Sequence, residues 1–308
     1  MKVLITTGSF GQYDKTPLER LKKVGAEVIA NPYGQRLSVE QCYALYSMNI
    51  EGVIAGTEQI TIEVLKRAKS LKVISRCGVG LDNVDVEAAQ KNKIRVYKTS
   101  LAVADAVAEL SLGLIFNSLR FISYTDRMLR QGKWQKPMGF LLKEKTLGII
   151  GLGSVGKKII QLCEPFQCQF LAFDVLEDNS FAEKYKVRYT TVEELLQKSD
   201  VVSIHLPLND QTKNFITEEK LRFMKKNAFL VNTSRGNIVE EEGLYRVLKE
   251  GAIAGAALDV FAQEPYSGKL RELENIILTS HIGSYARESR VAMELEAVDN
   301  LMKGLNLI

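Results

Sequence analysis

The hydrophobic positions of this chain form short apolar runs, separated by segments in which apolar residues recur at helical spacing. Before residue 100, runs rich in Val and Ile predict strands at 2–6, 26–30, 52–56, 72–76 and 94–97. Helical spacing predicts helices around 17–24, 38–48, 60–69 and 84–92. This alternation is typical of a parallel sheet covered by helices.

The segment 100–120 breaks this alternation. It is rich in Ala and Leu, has no Pro and is apolar over much of its surface, which predicts one long buried helix. A second helical stretch follows to about Gln131. The long helix could lie under a sheet or in a dimer interface, and the pattern alone does not choose between them.

From Thr146 the alternation restarts, with strands predicted at 146–150, 169–173, 201–206, 228–232, 255–260 and 275–279. The final segment, 285–305, reads as one amphipathic helix that could fold back onto the first half of the chain. A chain of 308 residues is long enough for two domains. The pattern therefore predicts an α/β protein with two β/α domains.

Composition narrows the possible partners and the location. The net charge of +4 is weak and evenly spread, so neither nucleic acid nor a membrane surface is an expected partner. No apolar stretch has the length of a membrane span, and the apolar run at the N-terminus is too short for a signal peptide. The four cysteines form no C-x-x-C pair and there are two histidines, so we expect no metal site and no disulfide framework. A cytoplasmic protein with buried thiols is predicted, with Cys77 the thiol that could be exposed.

A glycine-rich turn between a predicted strand and a predicted helix at 157–167 has the spacing G-x-G-x-x-G, at Gly151, Gly153 and Gly156. Such glycines allow a tight turn and let a pyrophosphate approach the backbone and the helix N-terminus. Asp174 ends the next predicted strand, where a carboxylate can bind the adenosine ribose and repel a 2′-phosphate. This predicts NAD rather than NADP; the alternative is a tight turn with no ligand.

Polar residues follow several later strands, where ligands gather in open α/β sheets. An Arg, a Glu and a His in one cleft suit hydride transfer to a 2-keto acid: Arg can bind the carboxylate, His can supply the proton, and Glu favours the imidazolium. Alternatively Arg235 is a solvated loop residue and Glu264 a turn residue. For His205 we favour a structural position or one at the edge of the cofactor site over a catalytic one. The candidates are Thr233, Ser234, Arg235, Asp259, Glu264, His281 and, before Pro207, His205.

Four segments carry a family resemblance. The chain resembles the D-isomer-specific 2-hydroxyacid dehydrogenases, and within them the phosphoglycerate-dehydrogenase-like branch. The similar segments, in chain order, are "LKVISRCGVGLDNVDVEAA", "TLGIIGLGSVGKKI", "NTSRGNIVEEEGLYRVLKEGAIAGAALDVFAQEP" and "LTSHIGSY".

The resemblance implies two doubly wound parallel-sheet domains. A flavodoxin-like substrate domain would comprise 1–98 plus 286–308, and a Rossmann domain at 99–285 would bind NAD. The helix at 100–120 would help to build a homodimer, and substrate would close the cleft between the domains. The expected ligand is a small 2-keto or 2-hydroxy acid.

The resemblance also implies roles for individual residues. Arg235, Glu264 and His281 would be catalytic, with His281 as acid and base. Backbone N–H groups in the turn Gly78, Val79 and Gly80 would hold the substrate carboxylate, together with Arg235 and His281. Cofactor contacts would come from Gly151, Gly153, Ser154, Val155, Gly156, Asp174, His205, Pro207, Thr233, Ser234, Asp259, Gly283 and Ser284.

The substrate itself stays open. Phosphoglycerate dehydrogenases often carry an Arg-Ser pair after the third strand, but this chain reads Gly56, Thr57 and Glu58, with Arg76 as a possible replacement cation. The chain ends at Ile308, so we expect the regulatory domain of longer members to be absent. D-3-phosphoglycerate is the first expectation and glyoxylate or hydroxypyruvate the alternative. An NAD-sensing protein similar to transcriptional corepressors is the alternative from another class, which turnover would distinguish.

Overall fold

The computed structural model describes residues 1–99 and 103–308. The chain divides into two compact units, Met1–Val103 with Tyr285–Ile308, and Ala104–Ser284. Each unit is an α/β structure around one parallel sheet, as the sequence predicts. The first residues of the helix predicted at 100–120, namely 100–102, lie outside the described part of the chain.

The strands are β1 (Lys2–Ile5), β2 (Glu27–Ala30), β3 (Gly52–Ala55), β4 (Val73–Arg76), β5 (Arg95–Lys98), β6 (Thr146–Ile150), β7 (Gln169–Phe173), β8 (Val187–Tyr189), β9 (Val201–Ile204), β10 (Phe229–Asn232), β11 (Gly255–Leu258) and β12 (Ile276–Leu278). The helices are α1 (Thr16–Lys23), α2 (Val39–Tyr46), α3 (Ile62–Leu65), α4 (Val86–Lys91), α5 (Val103–Arg120), α6 (Ile122–Arg130), α7 (Ser154–Cys163), α8 (Asn179–Tyr185), α9 (Val192–Lys198), α10 (Glu218–Leu221), α11 (Glu241–Lys249) and α12 (Arg287–Gly304).

The first unit has the strand order β2-β1-β3-β4-β5, which is the flavodoxin-like order. Its central strands β3 and β4 are buried along their whole length, which explains why they read as continuous apolar runs. The C-terminal helix α12 packs on this sheet, where the Ser75 hydroxyl donates a 2.7 Å hydrogen bond to the Ala297 carbonyl. Small residues permit this contact, because a Cβ on Gly304 would lie 2.6 Å from the Val73 side chain.

The second unit has seven parallel strands in the order β12-β11-β10-β9-β6-β7-β8. The chain runs outward from β6 in one direction and then outward from β9 in the other, so the order reverses between these two adjacent strands. A crevice at such a switch point is the usual ligand site of doubly wound sheets. Because all seven strands are parallel, the residues that follow them gather at one edge.

The long helix α5 packs against this seven-stranded sheet. Leu114, Ile115 and Leu119 belong to the same buried cluster as Ile149 and Val231 of the strands. The second helical stretch predicted to about Gln131 corresponds to α6. The two helices are separated at Phe121, whose φ of 55° ends α5 and starts α6 in a new direction.

Two details differ from the sequence prediction. Strand β8 is missing from it, because only Val187 of its three residues is buried and the run is too short to show a period. Cys77 is 3% exposed rather than accessible, and burial raises the pKa of its thiol to about 11. Within the described residues no single helix is long and apolar enough to cross a membrane; α5 and α6 meet those criteria only as a pair bent by 61°.

Candidate active site

The three glycines after β6 have three different surroundings. Gly151 has a φ of 97°, and a Cβ there would lie 2.6 Å from the His205 carbonyl oxygen. A Cβ on Gly156 would lie 2.5 Å from the Gly151 carbonyl oxygen, so this glycine lets α7 pack against the strand. A Cβ on Gly153 would have no described heavy atom within 4 Å. The second glycine therefore faces open space, where the phosphates of a dinucleotide can approach.

The start of α7 completes the phosphate-binding geometry. Gly153 is the N-cap residue and has no side chain with which to satisfy the first amide groups of the helix. Ser154 is exposed and Val155 is half-buried in this first turn. Such a helix N-terminus binds anions through its amide groups and its dipole. The loop therefore has the free amide groups and the open space that a pyrophosphate needs, and its contact with the cofactor stays a prediction.

Asp174 follows β7 and turns its carboxylate toward the glycine loop. It accepts a 2.6 Å hydrogen bond from Leu152 N–H and a 3.1 Å bond from Leu176 N–H. These bonds place a negatively charged acceptor beside the phosphate-binding turn. This position suits an adenosine ribose with free hydroxyl groups.

His205 lies just past β9, beside the glycine loop. Its backbone N–H donates to the Ile150 carbonyl at 2.7 Å, and its ring Nε2 lies 2.8 Å from the Ser203 hydroxyl. The surrounding protein desolvates the imidazole and lowers its pKa to about 3. His205 is therefore neutral at physiological pH, which agrees with a cofactor-edge position and not with a proton donor.

The turn after β10 is organised by Asn232, which the sequence prediction left out of the site. Its Nδ2 donates to the Arg235 carbonyl at 2.9 Å, and its Oδ1 accepts from Ser234 N–H at 3.0 Å. Thr233 shares a 2.8 Å hydrogen bond with Ser111 of α5. A signal was present in the sequence, since an amide at the end of a buried apolar run must find partners.

The turns after β10 and β11 are in close contact. A Cβ on Gly236 would lie 1.9 Å from the Phe261 backbone carbon, so only glycine fits beside Arg235. Phe261 N–H in turn donates to Glu264 Oε1 at 3.1 Å. The fold therefore brings the Arg235 turn against the turn that carries Glu264.

Glu264 and His281 form the most informative pair of the site. Glu264 Oε2 lies 2.8 Å from His281 Nδ1, with the side chains 28% and 41% exposed. With Nδ1 held by a carboxylate, Nε2 is the nitrogen that can exchange a proton with a substrate. A positioned imidazole with a carboxylate partner is the usual form of a general acid and base.

The turn that carries His281 is held by Asp259. The fully buried Asp259 carboxylate accepts from the Thr279 hydroxyl at 2.6 Å and from Ile282 N–H and Gly283 N–H at 2.8 Å each. His281 itself has a φ of 56°, which is unfavourable for a residue with a side chain. These three bonds hold the strained turn in place, a function of Asp259 that the sequence prediction lacked.

The predicted substrate turn lies in the other unit. Gly78 has a φ of 152°, Val79 is exposed and Gly80 is half-buried. Arg76 is buried behind Gly78, and its guanidinium donates to the Cys77 carbonyl and, at 3.3 Å, to Asn83 Oδ1. How this turn and the Arg235 guanidinium contact substrate stays a prediction.

A doubly wound parallel sheet with a glycine-rich turn before a helix, a carboxylate beside that turn and a His–Glu pair at one edge is typical of a nucleotide-dependent oxidoreductase. The family model described as D-isomer specific 2-hydroxyacid dehydrogenase, NAD binding domain, matches residues 112–283. The chain belongs to this family, and is an NAD-binding oxidoreductase that acts on CH–OH donors.

Individual relatives agree with this assignment. The chain is 43% identical to a glyoxylate reductase of Thermofilum pendens, covering 80% of this chain and 75% of the relative. It is 34% identical to a hydroxypyruvate reductase of Thermotoga maritima, with coverages of 83% and 84%. A D-3-phosphoglycerate dehydrogenase of Methanocaldococcus jannaschii is 37% identical over 82% of this chain, but this covers 49% of the relative. The crystal structure of a Thermus thermophilus protein superimposes with a TM-score of 0.91, at 33% identity, and the match covers 99% of this chain and 97% of that one.

Proposed function

We propose that this protein is an NAD-dependent reductase of small unphosphorylated 2-keto acids, with glyoxylate and hydroxypyruvate as the first candidates. The observation that carries the proposal is the His281–Glu264 pair, held by Asp259 at the ligand edge of the NAD-binding sheet. The reverse reaction would oxidise the corresponding D-2-hydroxy acid.

In the proposed reaction His281 transfers the proton. NAD, when bound in its reduced form, supplies the hydride. His281 donates a proton from Nε2 to the carbonyl oxygen of the keto acid, and Glu264 stabilises and orients the imidazolium through Nδ1. Arg235 binds the carboxylate and polarises the carbonyl with its fixed donors. In the oxidation direction neutral His281 takes up the hydroxyl proton.

We propose that the remaining predicted contacts divide along the cofactor. The amide groups of Ser154 and Val155 hold the pyrophosphate and Asp174 binds the ribose, in line with the geometry of those turns. The substrate carboxylate would bind backbone N–H groups of the first unit, in the turn Gly78, Val79 and Gly80. The nicotinamide end would be lined by His205, Pro207, Thr233, Ser234, Gly283 and Ser284, whereas Asp259, predicted as a cofactor contact, is fully buried and would hold the turn of Gly283 from behind.

The turn after β3 supports an unphosphorylated substrate. Glu58 stands in the turn where phosphoglycerate dehydrogenases often carry an Arg-Ser pair. It is 1% exposed and accepts hydrogen bonds from Thr6 Oγ1 at 2.6 Å and Tyr46 Oη at 3.0 Å. Arg76, the other candidate cation, is buried behind Gly78. A substrate phosphate needs cationic or amide donors. Glu58 provides no cation at this turn, and the Arg76 side chain points inward, where it donates to the Cys77 carbonyl. The relatives favour the same substrates, since several similar proteins are glyoxylate or hydroxypyruvate reductases.

The test is NADH oxidation with glyoxylate, hydroxypyruvate and 3-phosphohydroxypyruvate at equal concentrations. We expect the highest kcat/KM with one of the unphosphorylated acids, and loss of turnover in His281→Asn with NADH affinity retained. A clear preference for 3-phosphohydroxypyruvate would contradict the substrate assignment. Binding of NADH without reduction of any keto acid would favour the sensing alternative instead.

We also propose a homodimer, as the family resemblance implies. The segment after α6 exposes large apolar side chains, with Trp134 75%, Met138 89% and Leu141 67% accessible. Large exposed apolar side chains grouped in one short segment fit an interaction surface. Light scattering after gel filtration should give twice the chain mass, and Trp134→Ser should lower it. A monomer at micromolar concentration would contradict the proposal. Cytoplasmic location stays a prediction.

A further inference from the structure

The first turn of α7 carries a lysine that is held by the loop after β7. Lys157 Nζ forms an ion pair with Asp178, and its ammonium lies 5.4 Å from the centre of the Phe181 ring. Asp178 is fixed in turn, because it caps α8 by accepting from Phe181 N–H at 3.0 Å and donates its own N–H to Tyr189 Oη at 2.8 Å. The cation is therefore bound to a well-anchored carboxylate.

This ion pair lies close in the fold to the predicted ribose site. The loop between β7 and α8 starts at Asp174 and ends at Asp178, the N-cap of α8. Lys157 N–H donates to the carbonyl of Gly153, the glycine with open space beside it. The lysine thus projects from the phosphate-binding turn to the loop that begins with the ribose carboxylate.

We propose that Asp178 is a specificity-determining residue that withholds Lys157 from the 2′-phosphate of NADP. Asp174 excludes that phosphate by direct repulsion, and the Lys157–Asp178 pair removes the cation that would otherwise compensate. The preference for NAD then depends on two carboxylates at the two ends of one loop, Asp174 and Asp178. Only Asp174 could be identified from the sequence, by its place at the end of a predicted strand.

The charges explain why Asp178 would have this effect. A lysine ammonium binds phosphate as a point charge, and an ammonium already paired with a carboxylate has little net charge to offer. The hydrogen bond from Lys157 is the main cause that lowers the pKa of Asp178, so this carboxylate is ionised at neutral pH. Removing the charge of Asp178 removes one negative charge from the loop and releases the lysine.

The test is Asp178→Asn, probed by calorimetry with adenosine 2′,5′-bisphosphate and with 5′-AMP. Asn keeps the volume and is an equally good helix N-cap, so α8 should stay intact. We expect the affinity for the bisphosphate, relative to 5′-AMP, to rise about fivefold at low salt and to fall back at high salt. The same comparison in an Asp174→Asn background keeps the bisphosphate affinity measurable.

Two further variants isolate the lysine. Asp178→Asn combined with Lys157→Gln should lose the gain, whereas Lys157→Gln alone should leave the affinity ratio of the wild type unchanged. Asp105→Asn is the matched control. It releases Lys158, which lies beside Lys157 on α7 but pairs at 2.8 Å with Asp105 of α5, so this loop is not involved. Thermal unfolding and the NADH Kd report whether each variant keeps the fold.

Three results would overturn the proposal. The affinity ratio could stay unchanged in Asp178→Asn, or the gain could persist without Lys157, which would leave only simple repulsion by Asp178. A loss of bisphosphate affinity in Lys157→Gln alone would show that the lysine already reaches the phosphate. None of these measurements uses turnover, so they do not depend on the keto-acid substrate.

Discussion

Replacing Asp259 by Asn tests the idea that this residue positions the proton donor. The Asp259 carboxylate accepts three hydrogen bonds from the turn after β12, from Thr279 Oγ1 and from the amides of Ile282 and Gly283. Asn has the same shape but only one acceptor oxygen. Either Gly283 N–H or the other two donors must therefore face an NH₂ group in a fully buried position.

The cost can be worked from these contacts. An unsatisfied buried donor costs about 1–3 kcal/mol, and more when the lost acceptor was charged. We therefore expect Asp259→Asn to lower the free energy of unfolding by about 2–4 kcal/mol. His281 at φ 56° would relax once its turn is released, and its 2.8 Å contact with Glu264 would lengthen. A catalytic group that is misplaced by about 1 Å lowers kcat by about 100-fold.

The assay combines kcat at saturating NADH and keto acid, the NADH Kd and the melting temperature. Asp200→Asn is the control. Asp200 accepts from Thr146 N–H at 2.9 Å, at the N-terminal ends of the strands and away from the ligand end of the sheet. That variant should lose stability and keep kcat. Normal kcat in folded Asp259→Asn would refute the positioning role. An increase in the NADH Kd alone would leave Asp259 as a cofactor contact only.

Four further predictions address neighbouring features. Glu264→Gln should lower kcat about 10- to 100-fold with the NADH Kd unchanged, because a neutral amide replaces a charged acceptor 2.8 Å from the imidazole of His281. Gly153→Ala should keep the melting temperature but weaken NADH binding about tenfold or more, since its Cβ fills the phosphate space. Gly156→Ala should instead lower the melting temperature, because its Cβ would lie 2.5 Å from a carbonyl oxygen. The folded pKa of His205, about 3, lies below the ordinary 6.5, so the unfolded chain binds the proton first and stability falls as the pH drops from about 6.5 towards 3. The drop in melting temperature between about pH 7 and about pH 4 should therefore be smaller in His205→Asn; an equal drop would contradict the assignment.

The sheets could be predicted because buried parallel strands leave a strong signal. β3 and β4 are covered on both faces, so every residue along them is buried and the run is continuous. The edge strand β8 has one buried residue and carries no such signal. The sequence indicated a second helical stretch after residue 120, but the apolar pattern does not show the change of direction, which depends on the positive φ of Phe121.

The candidate site residues were predictable where an acidic or basic side chain lies in the segment after a strand. His281 and Glu264 stand out because acids, bases and glycines at strand ends point to one edge of the sheet. The partners of Asp259 could not be predicted, since they depend on β11 and β12 being neighbours in register, Leu258 beside Leu278. The Lys157–Asp178 pair likewise joins residues that only the packing of α7 beside the loop after β7 brings together.

The two halves of the NAD-binding unit use the same kind of contact, a carboxylate after a strand that accepts a hydrogen bond from the backbone of a neighbouring turn. After β7, the Asp174 carboxylate accepts an amide from the glycine loop, and after β11, the Asp259 carboxylate accepts amides from the histidine turn. In each case a carboxylate at a strand end fixes the backbone of the neighbouring turn. The strand order places these two contacts on opposite sides of the switch between β6 and β9. Substitutions that alter cofactor choice should therefore combine additively with those that alter proton transfer, because distant sites without shared partners are usually independent.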